Sequence, residues 1–392
     1  MTQREEARAV AALQLDYPVI ALVLQGGGAL GSYQGGVYEG LLEAGIHPNW
    51  VAGTSIGALN AAVIAGNPPE RRVEQLRAFW EFICRQPWAP PTWLLPPDGQ
   101  VQLPNTVRMV VDSLEATRAL LEGQNGFFVP RPWYALAPGA QGPDTASFYD
   151  TRPLRATLER FVDFDRINGA GEMRVSVGAV DVSNGNLVYF DSAQRTLRPE
   201  HFMASGALPP GFPAVEIDGE FYWDGGLVSN TPLQHVLAAP PPRDSLIFQI
   251  DLWSAIGKPP TDLLEVAVRQ KDIQYSSRTR MITTYMRAQG IFRHLLHDLM
   301  ELVPEEHRSS MAYRRAEKLA HRAMRNVIHL IYCDKPYESY AKDYQFGMLT
   351  MNEHWSSGLS DIRSTLEHRD WLNKPTEDEP FVTHDVHRGE RC

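Results

Sequence analysis

Apolar positions in the first part of the chain form two short runs, each followed by glycines and then by a helical pattern. Residues 19–24 are uniformly apolar and lead into Gln25-Gly26-Gly27-Gly28-Ala29-Leu30-Gly31. From 30 to 44, Leu30, Val37, Leu41 and Leu42 share one face and Gly45 stops the pattern, which predicts a helix. A second strand over 46–52 runs into Gly53-Thr54-Ser55-Ile56-Gly57. The small apolar run 56–65 then reads as a helix packed closely on a sheet, and Gly66-Asn67-Pro68-Pro69 ends it. Strand, helix, strand, helix is the pattern of a parallel α/β sheet.

Beyond a helix expected over 70–82, the pattern changes. Residues 87–143 are rich in proline and contain Trp88, Trp93, Phe127, Phe128, Trp133 and Tyr134, interrupted by a helical stretch over 106–121. Such a segment is unsuited to a central strand. Two readings fit it: a cap that lays aromatics over a cleft, or a surface excursion whose aromatics pack down. Regular structure returns with a helix over 151–161 and two strands, 173–181 and 186–191, around Ser183-Asn184-Gly185, a hairpin pattern. A short helix over 198–205, two short strands around Asp218-Gly219 and an apolar strand over 245–252 follow. From 261 to 326 the pattern is helical, with Phe292, Leu295, Leu296, Leu299, Leu302 and Val303 at spacings of three and four. A late strand is expected at 327–333 and a helix between 352 and 367.

These elements divide the chain into a leader (1–16), an α/β domain (17–260) carrying a cap-like insertion (87–150), a C-terminal extension (261–372) and a polar tail (373–392) expected to be disordered. Composition narrows the function. Net charge is -10, from 37 Lys+Arg against 47 Asp+Glu, which disfavours bulk attraction to nucleic acid. The extension is locally net basic, which leaves room for peripheral membrane contact, although a solvated helical face explains it as well. Three separated cysteines, Cys84, Cys333 and Cys392, indicate no disulfide framework, and a cytoplasmic location is the simpler expectation. Cys84 and Cys333 read as buried small hydrophobes. No run approaches the ~18 apolar residues of a membrane span.

The chemistry concentrates at the two glycine turns. Gly53-Thr54-Ser55-Ile56-Gly57 has the G-x-S-x-G spacing of a sharp strand-to-helix turn that exposes a serine hydroxyl. A serine alcohol needs a base within reach, and the oxyanion formed on an ester needs fixed donors. Backbone amides of Gly26, Gly27 and Gly28 are candidates for those donors. The same glycines, Gly26, Gly28 and Gly31, also satisfy a dinucleotide fingerprint, but that fingerprint requires an acidic residue ~20 positions on. None lies between Glu43 and Glu70, so nucleotide-dependent oxidoreduction ranks below hydrolysis.

Three motifs in order, Gly26-Gly27-Gly28-Ala29-Leu30-Gly31, Gly53-Thr54-Ser55-Ile56-Gly57 and Asp224-Gly225-Gly226, resemble those of patatin-like phospholipases. The approaches agree: Ala204-Ser205-Gly206-Ala207-Leu208-Pro209, Phe212-Pro213 and Tyr222 before Asp224, and Asn230-Thr231-Pro232 after it. The resemblance covers residues 17–252, and the remainder is similar to a C-terminal extension of some bacterial members.

The resemblance implies a patatin-like fold, with a mostly parallel central sheet, helices on both faces and a C-terminal helical addition. It implies a Ser–Asp dyad, with Ser55 as nucleophile and Asp224 as base. The glycine loop, Gly26 to Gly28, together with Ile56 would hold the oxyanion, within motifs completed by Gly31, Gly53, Gly57, Gly225 and Gly226. The expected substrate is a lipid or other carboxylic ester, with no metal or organic cofactor. Two positions depart from the family: Leu30 stands where Arg or Lys is common, and Gln25 where Asp is frequent. They leave acyl hydrolysis as the expectation and weaken the case for phospholipid. His235 reads as a structural histidine, and His294 with His297 lacks the pattern of a metal site. The competing reading is a non-catalytic lipid-binding or partner-binding protein on the same fold. Oligomeric state has no sequence signal.

Overall fold

The computed structural model describes residues 15–85, 104–132, 142–169, 173–277 and 279–385. Expectations for the leader before residue 15, for Trp88, Trp93, Trp133 and Tyr134, and for Cys392 therefore lie outside the described residues. The strands are β1 (Val19–Leu24), β2 (Trp50–Thr54), β3 (Val129–Pro130), β4 (Tyr149–Asp150), β5 (Arg174–Asp181), β6 (Leu187–Asp191), β7 (Val215–Ile217), β8 (Glu220–Asp224), β9 (Ser245–Asp251), β10 (Arg325–Ile331) and β11 (Phe381–Asp385). Nine of them form one sheet in the order β11-β10-β9-β1-β2-β5-β8-β7, with β6 also pairing with β5, while β3 and β4 form a separate small ribbon. From β11 across to β5 the pairing is parallel; β6, β7 and β8 pair antiparallel.

Strands β2 and β9 are buried along their whole length. Their sequences are almost continuously apolar because helices cover both faces of a parallel sheet. The fold is mixed α/β, with helices packed around the central sheet and further helices in the C-terminal part.

One pairing detail positions the site. On a single edge of β5, β2 pairs in parallel as far as Thr54 opposite Gly178, and β8 takes up the next rung with Asp224 opposite Ala179. Two segments distant in sequence thus end at adjacent residues of one strand. Ser55 and Asp224 meet for that reason.

The C-terminal part belongs to the same body. Strand β10 pairs with β9 and β11 with β10, and the Met348–Glu367 helix lies on the Ser32–Glu43 helix. Close approach requires small residues at that crossing: a Cβ on Gly36 would run into the backbone of Trp355, and one on Gly358 into that of Tyr33. Two expectations change here. The tail from residue 373 contains β11, a short strand that polar neighbours conceal in the sequence. Cys333 is half-buried, unlike Cys84, which is free and buried as expected.

The helical pattern of 261–326 resolves into Leu263–Tyr275, Thr279–Glu301 and Met311–Glu317. Its apolar stripe faces outward: Phe292, Leu295, Leu299 and Leu302 are all more than half exposed. Among the described residues no helix is long and apolar enough to cross a membrane.

Candidate active site

Strand β2 ends at Thr54, and the chain turns into the Ile56–Ala65 helix through Ser55, whose φ is 56° and ψ -128°. A serine held at positive φ carries strain on the order of 1–3 kcal/mol, which the surrounding packing must hold. It is held from two sides. The Ser55 N–H donates to both the carbonyl and the Oγ of Ser205 (3.1 Å each), and Ser205 Oγ donates to the Gly178 carbonyl at 2.6 Å. The next turn of that run clamps the other partner, since the Asp224 N–H donates to the Ala207 carbonyl at 3.0 Å. Where backbones touch, glycine is required: a Cβ on Gly53 would strike the Gly57 carbonyl, and one on Gly225 would lie 2.6 Å from the Gly178 oxygen.

Asp224 is buried beside Ser55, and its Oδ1 accepts from the Gly226 N–H at 2.7 Å. Burial pushes its carboxyl up to about 7, against the opposing pull of the Ser55 hydroxyl and the Gly226 N–H. Desolvation dominates because the ionised form has lost its water.

The glycine loop lies against Ser55, so closely that a Cβ on Gly26 would stand 2.8 Å from that of Ser55. Its amides are not equivalent. The Gly26 N–H already donates to the Asn230 carbonyl (3.2 Å), while Gly26 O accepts from Asn230 Nδ2 and Trp253 Nε1 at 2.9 Å each. The oxyanion donors expected from sequence therefore narrow to Gly27, Gly28 and Ile56, the last at a helix N-terminus where the amide has no intrahelical acceptor. Gly31 packs on Ile56. Gln25 braces the loop from beneath: its amide donates to Thr231 Oγ1 (2.9 Å) and the Tyr275 carbonyl (3.2 Å), and its Oε1 accepts from the N–H groups of Leu252 and Trp253. Leu30 is fully buried in the core.

A cavity of about 70 Å³ opens beside Ser55. Its apolar wall joins distant parts of the chain: Phe127 and Phe128 from the Pro/aromatic stretch, Phe212 from the run before Asp224, and Phe346 from the extension. Phe127 lies 5.8 Å from Phe212 and 6.1 Å from Phe346, centre to centre. Tyr275, Asp343 and Tyr344 complete it. Sequence reasoning gave no role to Asn230, Trp253, Tyr275 or residues 343–346. Asn230 was visible only as part of a matching run, and the others carry no local signal.

His235 stays away from this cluster, stacked on Tyr189 and bonded to Asp191 at 3.1 Å. Among the described residues, His297, Asp298 and Glu301 could share an ion. Arg322 already pairs with both carboxylates, at 2.8 and 3.4 Å.

No curated protein matches the sequence. Solved structures similar to it include VipD from Legionella pneumophila, 13% identical with a TM-score of 0.35, covering 89% of this chain and 67% of that one. The type III effector protein ExoU is 14% identical with a TM-score of 0.31, and the match covers 91% of this chain and 54% of that one, so this chain spans about half of its length. A family model described as patatin phospholipase matches residues 273–378, the region that supplies Tyr275, Asp343, Tyr344 and Phe346. The model of patatin-like phospholipases matches residues 22–237, more than half of the chain, and the protein belongs to that family.

Proposed function

We propose that the protein is a serine acyl hydrolase that cleaves carboxylic esters of lipids through a Ser55–Asp224 dyad. The observation that carries this reading is the buried Asp224 lining, together with Ser55, one aromatic-walled cavity. Ser55 Oγ attacks the ester carbonyl as Asp224 takes its proton. The oxyanion accepts from the amides of Gly27, Gly28 and Ile56, and its collapse expels the alcohol, which takes the proton back from Asp224. Water then releases the acyl group by the same steps. A carboxylate at its ordinary pKa is a weak base at neutral pH; one raised to about 7 is matched to the task.

A fluorophosphonate probe tests the dyad. Stoichiometric labelling at Ser55, lost in Ser55→Ala and slowed strongly in Asp224→Asn, is the expected result. A folded wild-type protein that stays unlabelled sinks the reading and favours the non-catalytic binding protein.

Peripheral contact with a lipid surface belongs to the same proposal. Leu227 and Val228, next to the cavity residue Gly226, are exposed, as is the stripe Phe292, Leu295, Leu299 and Leu302. Exposed apolar groups in such clusters mark interaction surfaces. Co-flotation with neutral-lipid emulsions, reduced in Leu295→Glu/Leu299→Glu, is expected; equal flotation of both proteins would remove the stripe from the proposal.

A further inference from the structure

We infer that this site selects uncharged esters, substrates without a phosphate on the acyl or the alcohol side, and that Asp343 enforces the selection. This rests on the hydrolase reading above and narrows its substrate class.

The charges around the cavity carry it. Among the described residues that line it, the ionisable groups are Asp224, Asp343 and two tyrosines; Lys, Arg and His are missing from the wall. Phosphate groups are ordinarily met by Arg or Lys. In sequence, residues 86–103 and 133–141 of the Pro/aromatic stretch contain no Lys or Arg either. Among the described lining residues, positive potential comes from backbone amides and a helix N-terminus beside Ser55, where it would meet the developing oxyanion rather than a headgroup.

Two lysines stand behind the wall, and both are already paired. Lys271 forms an ion pair with Asp343 and donates to the Tyr340 carbonyl at 3.2 Å. Lys342 is buried between Asp272, at 2.8 Å, and Asp334. Asp343, itself a residue of the cavity lining, thereby cancels the charge of Lys271. A phosphate there would also meet Asp224 in its ionised form, a second like charge.

The test uses the full chain and three substrates with one short acyl group: a monoacylglycerol, a lysophosphatidylcholine and a lysophosphatidylglycerol, each below its aggregation threshold. The expected kcat/KM is at least about tenfold higher for the monoacylglycerol than for either phosphate ester, the scale of one like-charge contact. Asp343→Asn frees the Lys271 charge and narrows that ratio; Lys271→Gln leaves Asp343 unneutralised and widens it. The opposite directions separate a charge effect from a folding defect, which would lower all three rates together. Phosphate esters cleaved as fast as the monoacylglycerol, or ratios unmoved in both folded variants, overturn the inference alone. Absence of turnover on every ester together with absence of Ser55 labelling overturns the hydrolase reading beneath it.

Discussion

The backbone carbonyl of Asp343 occupies the place where a side chain on Gly28 would begin. A loop from the first strand and a turn near the far end of the chain thus share one contact, and Gly28 also has φ of 56°. Both conditions exclude a Cβ. Gly28→Ala should therefore lower stability by about 2 kcal/mol or more and slow fluorophosphonate labelling of Ser55 by about a hundredfold, because the displaced amide leaves the oxyanion position. Gly290→Ala is the control. It lies within the Thr279–Glu301 helix with open space around it, so the variant should gain ~0.5–1 kcal/mol. Equal melting temperatures for the two variants would contradict the contact.

Asp224 sets a pH dependence with two readouts of opposite sign. Its folded carboxyl is raised to about 7 from an ordinary 3.8. As base it must be ionised, so the acylation rate should rise with pH through a midpoint near 7. Stability moves the other way. A raised folded pKa means that the native state holds the proton more tightly than the unfolded chain. That contribution is complete below the unfolded value and is lost as pH rises toward 7. Asp224→Asn, which never ionises, should be more stable than wild type at pH 8 by a few kcal/mol, with the advantage shrinking toward pH 4. Melting curves at the two pH values check this; a variant less stable at pH 8 would contradict the buried-carboxylate account.

Local features of the site could be read from the sequence, while its walls could not. The Ser55 turn and the glycine loop announce themselves because strand, glycine and helix signals lie within a dozen residues, where spacing alone dictates geometry. The Asp224 motif is also local, but its meeting with Ser55 depends on β2 and β8 sharing an edge of β5, which no periodicity records. The engagement of the Gly26 amide by Asn230 is a contact across 204 positions. The same applies to Phe346, an ordinary aromatic beside a glycine until the fold sets it against Phe127. Strand β11 escaped for another reason: Thr383, His384 and Asp385 are polar, as a strand at a sheet edge permits.

Lys342 ties the wall to the body. It is buried, with Asp272 and Asp334 on its ammonium and the Trp253 ring 4.8 Å away. Burial alone would lower its pKa, but the two carboxylates outweigh that and raise it. Lys342→Met keeps much of the volume and abandons both acids, so it should cost about 3–5 kcal/mol at neutral pH. The loss should ease on acidification, because burial already holds the Asp334 carboxyl above its ordinary range and the loss of Lys342 removes the opposing pull. Urea denaturation at pH 7 and pH 5 reads this out, and a loss that is the same at both would rule out stranded carboxylates as its source.

Cavity size fixes acyl-chain length if the dyad works as proposed. The space beside Ser55 is about 70 Å³ and is lined by Phe127, Phe212 and Phe346, which favours short chains. Each methylene that still fits removes apolar surface from water, worth about 0.8 kcal/mol, or roughly fourfold in kcat/KM. Along a series of p-nitrophenyl esters the rate constant should therefore climb by about that factor per carbon and then break where the chain meets the aromatic wall. Phe346→Ala opens that wall without touching Ser55 or Asp224. Its break should fall at longer chains, while the slope below it stays the same, because the same surface is being buried. A break at one chain length in both proteins would mean that the acyl group lies elsewhere, and a lower slope throughout would mean that Phe346 acts by holding the site together rather than by limiting its depth.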